Sequence, residues 1–401
     1  MRAWPVVVLV ACGHRNAAID APVGAEPIGS GDAMVDADTC GGIVPRLNVR
    51  EVGGSGLVQP VFVAQPPGST DLYVVEKPGR IRIARAGALL ATPFLDVTAL
   101  VNIPGPDSEG GVLGVEFAPD YVASGRLWVF ATLKASGTLP DRVAIVEYHR
   151  SSTNADLADP ASAVEVISAP HGGYNNVGGT VRLGADGKLW TGFGDAANDP
   201  NAQDLTLRLG KILRVDPDNP GVPPADNLGG AGTDPYIWDY GIRNPYRFTF
   251  DRATHALYLA DPDDQLYQEV DREAPGQGHN NYGWPIMEGT HCHTPPTGCT
   301  PTGTLPVYER PHGAVGYSEI IGGVVYRGSA IPCLRGRYVY GIIGLGSVLS
   351  WVWDGTQVTS FADLTNMLQA NLTNVVAFGE DQAGEVYIVT LDGHVYEIVP
   401  G

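Results

Sequence analysis

Short apolar runs, rather than long amphipathic ones, punctuate the chain. A brief aliphatic–aromatic segment recurs six times: Leu72-Tyr73-Val74, Leu127-Trp128-Val129, Leu189-Trp190-Thr191, Leu257-Tyr258-Leu259, Tyr338-Val339-Tyr340 and Val386-Tyr387-Ile388. Most follow a Gly or Asp turn, as in Ala185-Asp186-Gly187-Lys188 and Gln382-Ala383-Gly384-Glu385. A second segment follows each, with apolar and polar residues alternating, as in Arg80-Ile81-Arg82-Ile83, Lys211-Ile212-Leu213-Arg214-Val215 and Val395-Tyr396-Glu397-Ile398. A period of two puts successive side chains on opposite faces of a strand. The runs begin at residues 72, 127, 189, 257, 338 and 386, a spacing that holds four strands and their loops. The pattern predicts an all-β fold, a six-bladed β-propeller. A β-sandwich would give no reason for one strand signature to recur six times. One propeller domain is expected over residues 42–401.

Composition narrows the class. With 52 glycines and 32 prolines there is little room for long helices, while 44% hydrophobic residues exclude a disordered chain. A formal charge of −19 argues against nucleic acid as a partner, because phosphate binding needs basic surface. At the start, Met1-Arg2, the apolar run Val6-Val7-Val8-Leu9-Val10-Ala11 and Cys12 resemble a bacterial lipoprotein signal. That reading assigns residues 1–11 to a signal peptide and residues 12–41 to a lipidated cysteine and flexible tether. It places the protein as an exported lipoprotein, periplasmic or anchored at the outer membrane or cell surface. The other reading is a poorly ordered apolar tail. Setting Cys12 aside leaves Cys40, Cys292, Cys299 and Cys333, an even number in an exported chain. The short spacing pairs Cys292 with Cys299 and leaves Cys40 with Cys333. A zinc site using His291, Cys292, His293 and Cys299 is the competing reading.

Propeller ligands bind where loops from several blades converge. Three loops are dense in polar residues and glycine: 106–114, 175–204 and 240–285. In and around them stand Glu109-Gly110-Gly111-Val112-Leu113-Gly114, Gly178-Gly179-Thr180 with Gly194-Asp195, and Gln203-Asp204 with Gly210-Lys211-Ile212-Leu213-Arg214-Val215-Asp216. Further on come Gly241-Ile242-Arg243-Asn244-Pro245-Tyr246-Arg247-Phe248, Asn281-Tyr282-Gly283-Trp284-Pro285 and Gly322-Gly323-Val324-Val325-Tyr326-Arg327-Gly328. In this order the segments resemble the soluble glucose/sorbosone dehydrogenases across almost the whole expected domain.

The resemblance implies a six-bladed propeller that uses pyrroloquinoline quinone (PQQ) and calcium to oxidise an aldose sugar at C1. It implies a histidine base for the hydroxyl proton, an Asp that orients the base and an Arg beside the quinone. Carried onto this sequence, Asp195 takes the orienting place and Arg243 the place by the quinone. Asn244 becomes a cofactor contact and Glu109 a polar contact to cofactor or substrate. Arg327, with Arg247, becomes a cationic partner for cofactor carboxylates. Asp263, Asp264 and Glu269 align with a calcium-binding loop, where oxygen donors suit that ion. Without the resemblance, Asp195 reads as a turn Asp and the 261–264 loop as a solvated acidic one.

Two departures fall on the implied site. The Gly178-Gly179 register puts Asn176 at the position of the base, and an amide lacks the basicity for that work. His171, five residues upstream, is the candidate replacement; its other reading is a plain loop residue. From Tyr338 to Gly401 there is no Lys or Arg, although a cofactor with three carboxylates calls for cations. Two functions therefore compete: a sugar dehydrogenase with a shifted base, and a non-catalytic propeller lipoprotein that binds a carbohydrate or a protein.

Overall fold

The computed structural model describes residues 40, 44–262, 264–312, 318–370 and 372–401. The signal, Cys12 and tether expectations, and Asp263, lie outside the described residues. The chain forms six antiparallel blades around a central channel. Blade 1 holds Pro60–Ala64, Leu72–Glu76 and Arg80–Arg85, with Ala88–Leu89 and Leu95–Asp96 both paired to its third strand. Blade 2 holds Val112–Phe117, Arg126–Leu133, Arg142–Arg150 and Ala158–Pro170. Blade 3 runs Val181–Leu183, Leu189–Phe193, Lys211–Val215 and Ile237–Tyr240. Blade 4 runs Arg247–Phe250, Leu257–Asp261, Tyr267–Glu273 and Tyr308–Pro311. Blade 5 runs Ile320–Val325, Arg337–Ile342, Ser347–Trp353 and Val358–Asp363. Blade 6 closes the ring: Leu47–Val52 pairs with His394–Pro400, beside Val386–Thr390 and Val375–Glu380.

All six sequence runs fall on the second strand of a blade. That strand is flanked on both edges and covered on both faces, so it reads as a continuous apolar stretch; Leu72–Glu76, Leu189–Phe193 and Val386–Thr390 are buried throughout. Third strands follow the alternation where they meet solvent, as in Arg80–Arg85, whose Ile81 and Ile83 are buried between less buried arginines. Lys211–Val215 departs from it, being buried at every position. The Lys211 ammonium donates to the carbonyls of Asn201 (2.8 Å), Ala202 (3.0 Å) and Leu209 (2.7 Å). The strand's buried polar groups are thus met by backbone and by carboxylates of the adjoining loops.

Both cysteine pairs are disulfides. Cys40–Cys333 has a Cα separation of 5.4 Å and Cys292–Cys299 one of 5.7 Å, within the reach of a bridge. The zinc reading fails because Cys292 and Cys299 are bonded to each other. His291 and His293 go elsewhere: the first stacks on Tyr267 and meets Glu309, the second meets the Pro285 carbonyl.

Candidate active site at the channel mouth

Each blade's first strand faces the axis, and the loops entering these strands build one mouth of the channel. A cavity of about 880 Å³ opens there, within the usual range for small-molecule sites. Glu109, Asn176, Asn244, Glu319 and Asn374 all line it. Each stands at or shortly before the first strand of its blade.

Asn176 sits at φ 51°, a left-handed conformation that Asn tolerates better than most residues. Two glycines hold its loop against the next. Gly178 has φ +77°, and a Cβ there would lie 2.0 Å from the Gly192 oxygen. A Cβ on Gly194 would lie 2.0 Å from the Asn176 oxygen. The loops therefore meet backbone to backbone, which brings Asn176 to Asp195. The amide Nδ2 donates to Asp195 Oδ1 at 2.8 Å. The same oxygen accepts the Ala197 N–H at 2.8 Å, and Asp195 Oδ2 accepts the Trp284 indole N–H at 2.9 Å. Burial raises the Asp195 pKa, and its bonds to Asn176 and Trp284 oppose the rise.

His171 is buried beneath this loop. Its Nε2–H donates to the Asn176 carbonyl at 3.0 Å, and Nδ1 accepts the Gly173 N–H at 2.9 Å. These partners fix a neutral tautomer, and burial lowers its pKa. With both ring nitrogens held by backbone, His171 shapes the loop that carries Asn176.

Arg243 and Asn244 follow from blade 3 into blade 4. Their backbone N–H groups both donate to Asp261, at 2.7 Å each. Burial pushes this carboxyl up to about 6. The Arg243 guanidinium donates to the Pro262 carbonyl (2.8 Å) and Asp264 Oδ1 (3.2 Å) and lies over the Trp284 ring. Asn244 Oδ1 accepts the Gly178 N–H at 2.9 Å, while Nδ2 donates to Glu109 Oε2 at 3.2 Å. Glu109, Asn176, Asp195, Arg243 and Asn244 thus form one constellation.

Arg247 and Arg327 do not join it. Arg247 is buried, donates to the carbonyls of Gly179 (2.7 Å) and Val61 (2.6 Å), and packs on Tyr246. Arg327 makes a two-bond pair with Asp251, at 2.7 and 2.6 Å. Neither lines the cavity. Asp264 lines it with Arg243, whereas Glu269 is buried on the third strand of blade 4, opposite Asp261. Among the described residues no group of three or more acidic, His or Cys side chains is arranged to hold a metal ion.

Sequence reasoning missed several groups. Trp284 was legible as a motif residue, but its bond to Asp195 comes from a distant loop. Lys77, Asp107, His312 and Glu319 also line the cavity. For Glu319 the signal was available: it is the polar residue directly before a first strand. Blade 4 also hides Glu269, Asp271 and Glu273, which alternate on one face of a strand and are all buried. Burial raises the pKa values of Asp271 and Glu273.

A model of the glucose/sorbosone dehydrogenase family matches residues 57–397. The chain belongs to that family. Among its relatives, the HIPL1 protein of Arabidopsis thaliana is 28% identical over 466 residues, which take in 92% of this chain and 65% of the relative. Hedgehog-interacting protein from Mus musculus is 28% identical over 408 residues, 91% of this chain and 55% of that one. The chain therefore spans roughly half to two thirds of these curated relatives. The PQQ-bound aldose sugar dehydrogenase of Streptomyces coelicolor has the same fold, with a TM-score of 0.69 and 21% identity over 89% of this chain and 99% of that one.

Family membership raises the question of whether this mouth fits a quinone with three carboxylates. Its lining cations are Lys77, Arg243 and, when protonated, His312, against the carboxylates Asp107, Glu109, Asp264 and Glu319. Lys77 Nζ already donates to the Ser108 carbonyl, and burial lowers its pKa. Arg243 is committed to Asp264 and Pro262. Opposite them, Ile321, Ile343, Val376 and Leu391 offer no charge. A trianion would meet more carboxylates than available cations, so the residues present do not fit it. The two described members of the calcium set do not converge either, since Asp264 faces Arg243 and Glu269 faces Asp261.

Proposed function

We propose that this member of the glucose/sorbosone dehydrogenase family binds a small hydroxylated ligand, a carbohydrate, at the channel mouth without oxidising it. The observation that carries the reading is Asn176. An amide already donating to Asp195 stands where the family resemblance calls for a base. The nearby imidazole of His171 has both nitrogens occupied. Oxidation at an alcohol carbon needs a group that takes the hydroxyl proton, and neither residue offers one. Asn175, exposed in the lining, supplies a neutral amide suited to hydroxyl groups. The likeness to Hedgehog-interacting protein supports a second reading, a protein partner at the same mouth.

The proposal includes export by way of Cys12, and the two disulfides support an oxidising compartment. Mass spectrometry of membrane-extracted protein should find lipid on Cys12; an intact, unmodified N-terminus removes that part.

The test of function is dye reduction by purified protein supplied with PQQ, calcium and a panel of aldoses, alongside direct measurement of PQQ binding. No turnover above the protein-free control is expected. Asn176→His tests the reason, since His also tolerates this backbone conformation. If PQQ binds, the substitution should produce turnover, because general base catalysis is worth about 10²–10⁴-fold. If PQQ does not bind, neither protein turns over. Robust turnover by the wild-type protein overturns the reading.

A further inference from the structure

We infer that Arg243 is a built-in cation that holds the place of a divalent metal at the channel mouth, so that this chain gains a calcium site only when that guanidinium is removed. The role is independent of which ligand enters the mouth.

The backbone of Arg243 is pinned from two sides. Its N–H donates to Asp261 Oδ2 at 2.7 Å, and its carbonyl accepts the Asp195 N–H at 2.8 Å. Asp195 and Asp261 are both fully buried, so a shift of this segment would orphan polar groups away from water. The side chain then crosses the buried Trp284 ring, with the guanidinium carbon 5.7 Å from the ring centroid, a face on which a guanidinium stacks well. Its two terminal nitrogens end on oxygens. Nη1 donates to the Pro262 carbonyl at 2.8 Å and Nη2 to Asp264 Oδ1 at 3.2 Å. A backbone carbonyl beside a carboxylate is the donor chemistry that calcium takes. Here both oxygens are already held by N–H donors of a fixed positive charge.

The same charge serves the acids around it. Burial raises the pKa values of Glu109, Asp195, Asp261 and Glu319, and in each Arg243 pulls the other way. These acids are carried by blades 2, 3, 4 and 5. A divalent ion brought to Pro262 and Asp264 would have to displace two hydrogen bonds and sit against a like charge in a partly desolvated cavity. Unlike a metal, the guanidinium cannot be removed by a chelator, and it does not lose its proton in a protein. The mouth therefore keeps one electrostatic state with or without calcium.

The test uses chelator-treated protein without PQQ. Calcium is titrated by calorimetry, and terbium emission is excited through tryptophan, a local readout because Trp284 lies under the guanidinium. Wild-type protein should show no saturable site at the mouth and the same melting temperature in calcium and in chelator. Arg243→Gln, with its fold checked by circular dichroism, should bind one calcium per chain, about tenfold or more tighter than any wild-type binding. Its terbium emission should saturate, and its melting temperature should rise as calcium exceeds its Kd. Arg243→Lys keeps the charge and should behave as the wild type. Adding Asp264→Asn to Arg243→Gln should remove the gained site. A folded Arg243→Gln protein without a calcium site overturns the inference, as does an Arg243→Lys protein that binds calcium equally well. Should Arg243→Gln fail to fold, the wild-type titration decides: saturable calcium and terbium binding that Asp264→Asn abolishes overturns the inference, and its absence upholds it.

Discussion

On the wall made by blades 3 and 4, Asn176, Asp195, Trp284, Arg243, Asn244 and Asp261 are tied together by hydrogen bonds between side chains and backbone. On the wall made by blades 5 and 6, Ile321, Ile343, Val376 and Leu391 present hydrocarbon to the same cavity. The first wall uses its polar groups on itself. Apart from Glu319 and Asn374 at its rim, the second presents hydrocarbon and no cation, in keeping with a sequence that carries no Lys or Arg after Arg337. A family scaffold can persist while the groups lining its cavity change.

The contrast breaks most visibly in stability. Asp195→Ala strips two buried donors, Asn176 Nδ2 and the Trp284 indole, and the Ala197 N–H of their acceptor. Urea unfolding should show a loss of about 3–5 kcal/mol, because each orphaned donor keeps its desolvation cost. On the hydrocarbon wall, Val376→Arg places a charge at a buried core position and should cost about 2–4 kcal/mol by urea unfolding. Ile321→Val should cost only about 1 kcal/mol by urea unfolding, as for loss of one buried methylene. If it costs as much as Asp195→Ala, the two walls do not differ in the way described.

The smallest effect is on pH dependence. Burial lifts the folded-state pKa of Glu319 above its ordinary value of 4.5. The folded protein then holds that proton more tightly than the unfolded chain does. The associated stability is full below pH 4.5 and is lost as pH rises through the elevated pKa. Glu319→Gln should flatten this decline in unfolding curves measured from pH 4 upward, whereas Ile321→Val should leave the slope as in the wild type. An unchanged slope in Glu319→Gln shows that the carboxyl is not held in a desolvated place.

The fold was legible because propeller strands repeat, and a repeated signal survives errors in any one copy. The six second strands were readable as apolar runs since both faces of each are covered. Lys211 and Arg214 misled the alternation rule because loops fold over them, a contact between segments that local pattern does not encode. The Asn176–Asp195 pair was legible from the glycine register, whose meaning is the close backbone approach at Gly178 and Gly194. Arg247 and Arg327 show the limit: motif position suggested cofactor partners, but the nearest acceptors in space are Gly179, Val61 and Asp251. Trp284 and Glu319 needed the ring itself, which joins loops far apart in sequence.

Ring closure through blade 6 has a consequence for how the molecule is made. Leu47–Val52, the first strand of the domain, finds its partner only in His394–Pro400, the last. A chain synthesised or threaded from its N-terminus must therefore keep that strand unpaired while five blades form. Pairing the most distant segments also carries the largest loop-closure cost, so the closing step comes late and slowly. Until it happens, the edge of Val395–Ile398 that will receive the first strand remains open to strands of other chains. Propellers caught before closure are thus the population most exposed to misassembly, and the Cys40–Cys333 bridge, formed near the same seam, locks the finished ring against reopening.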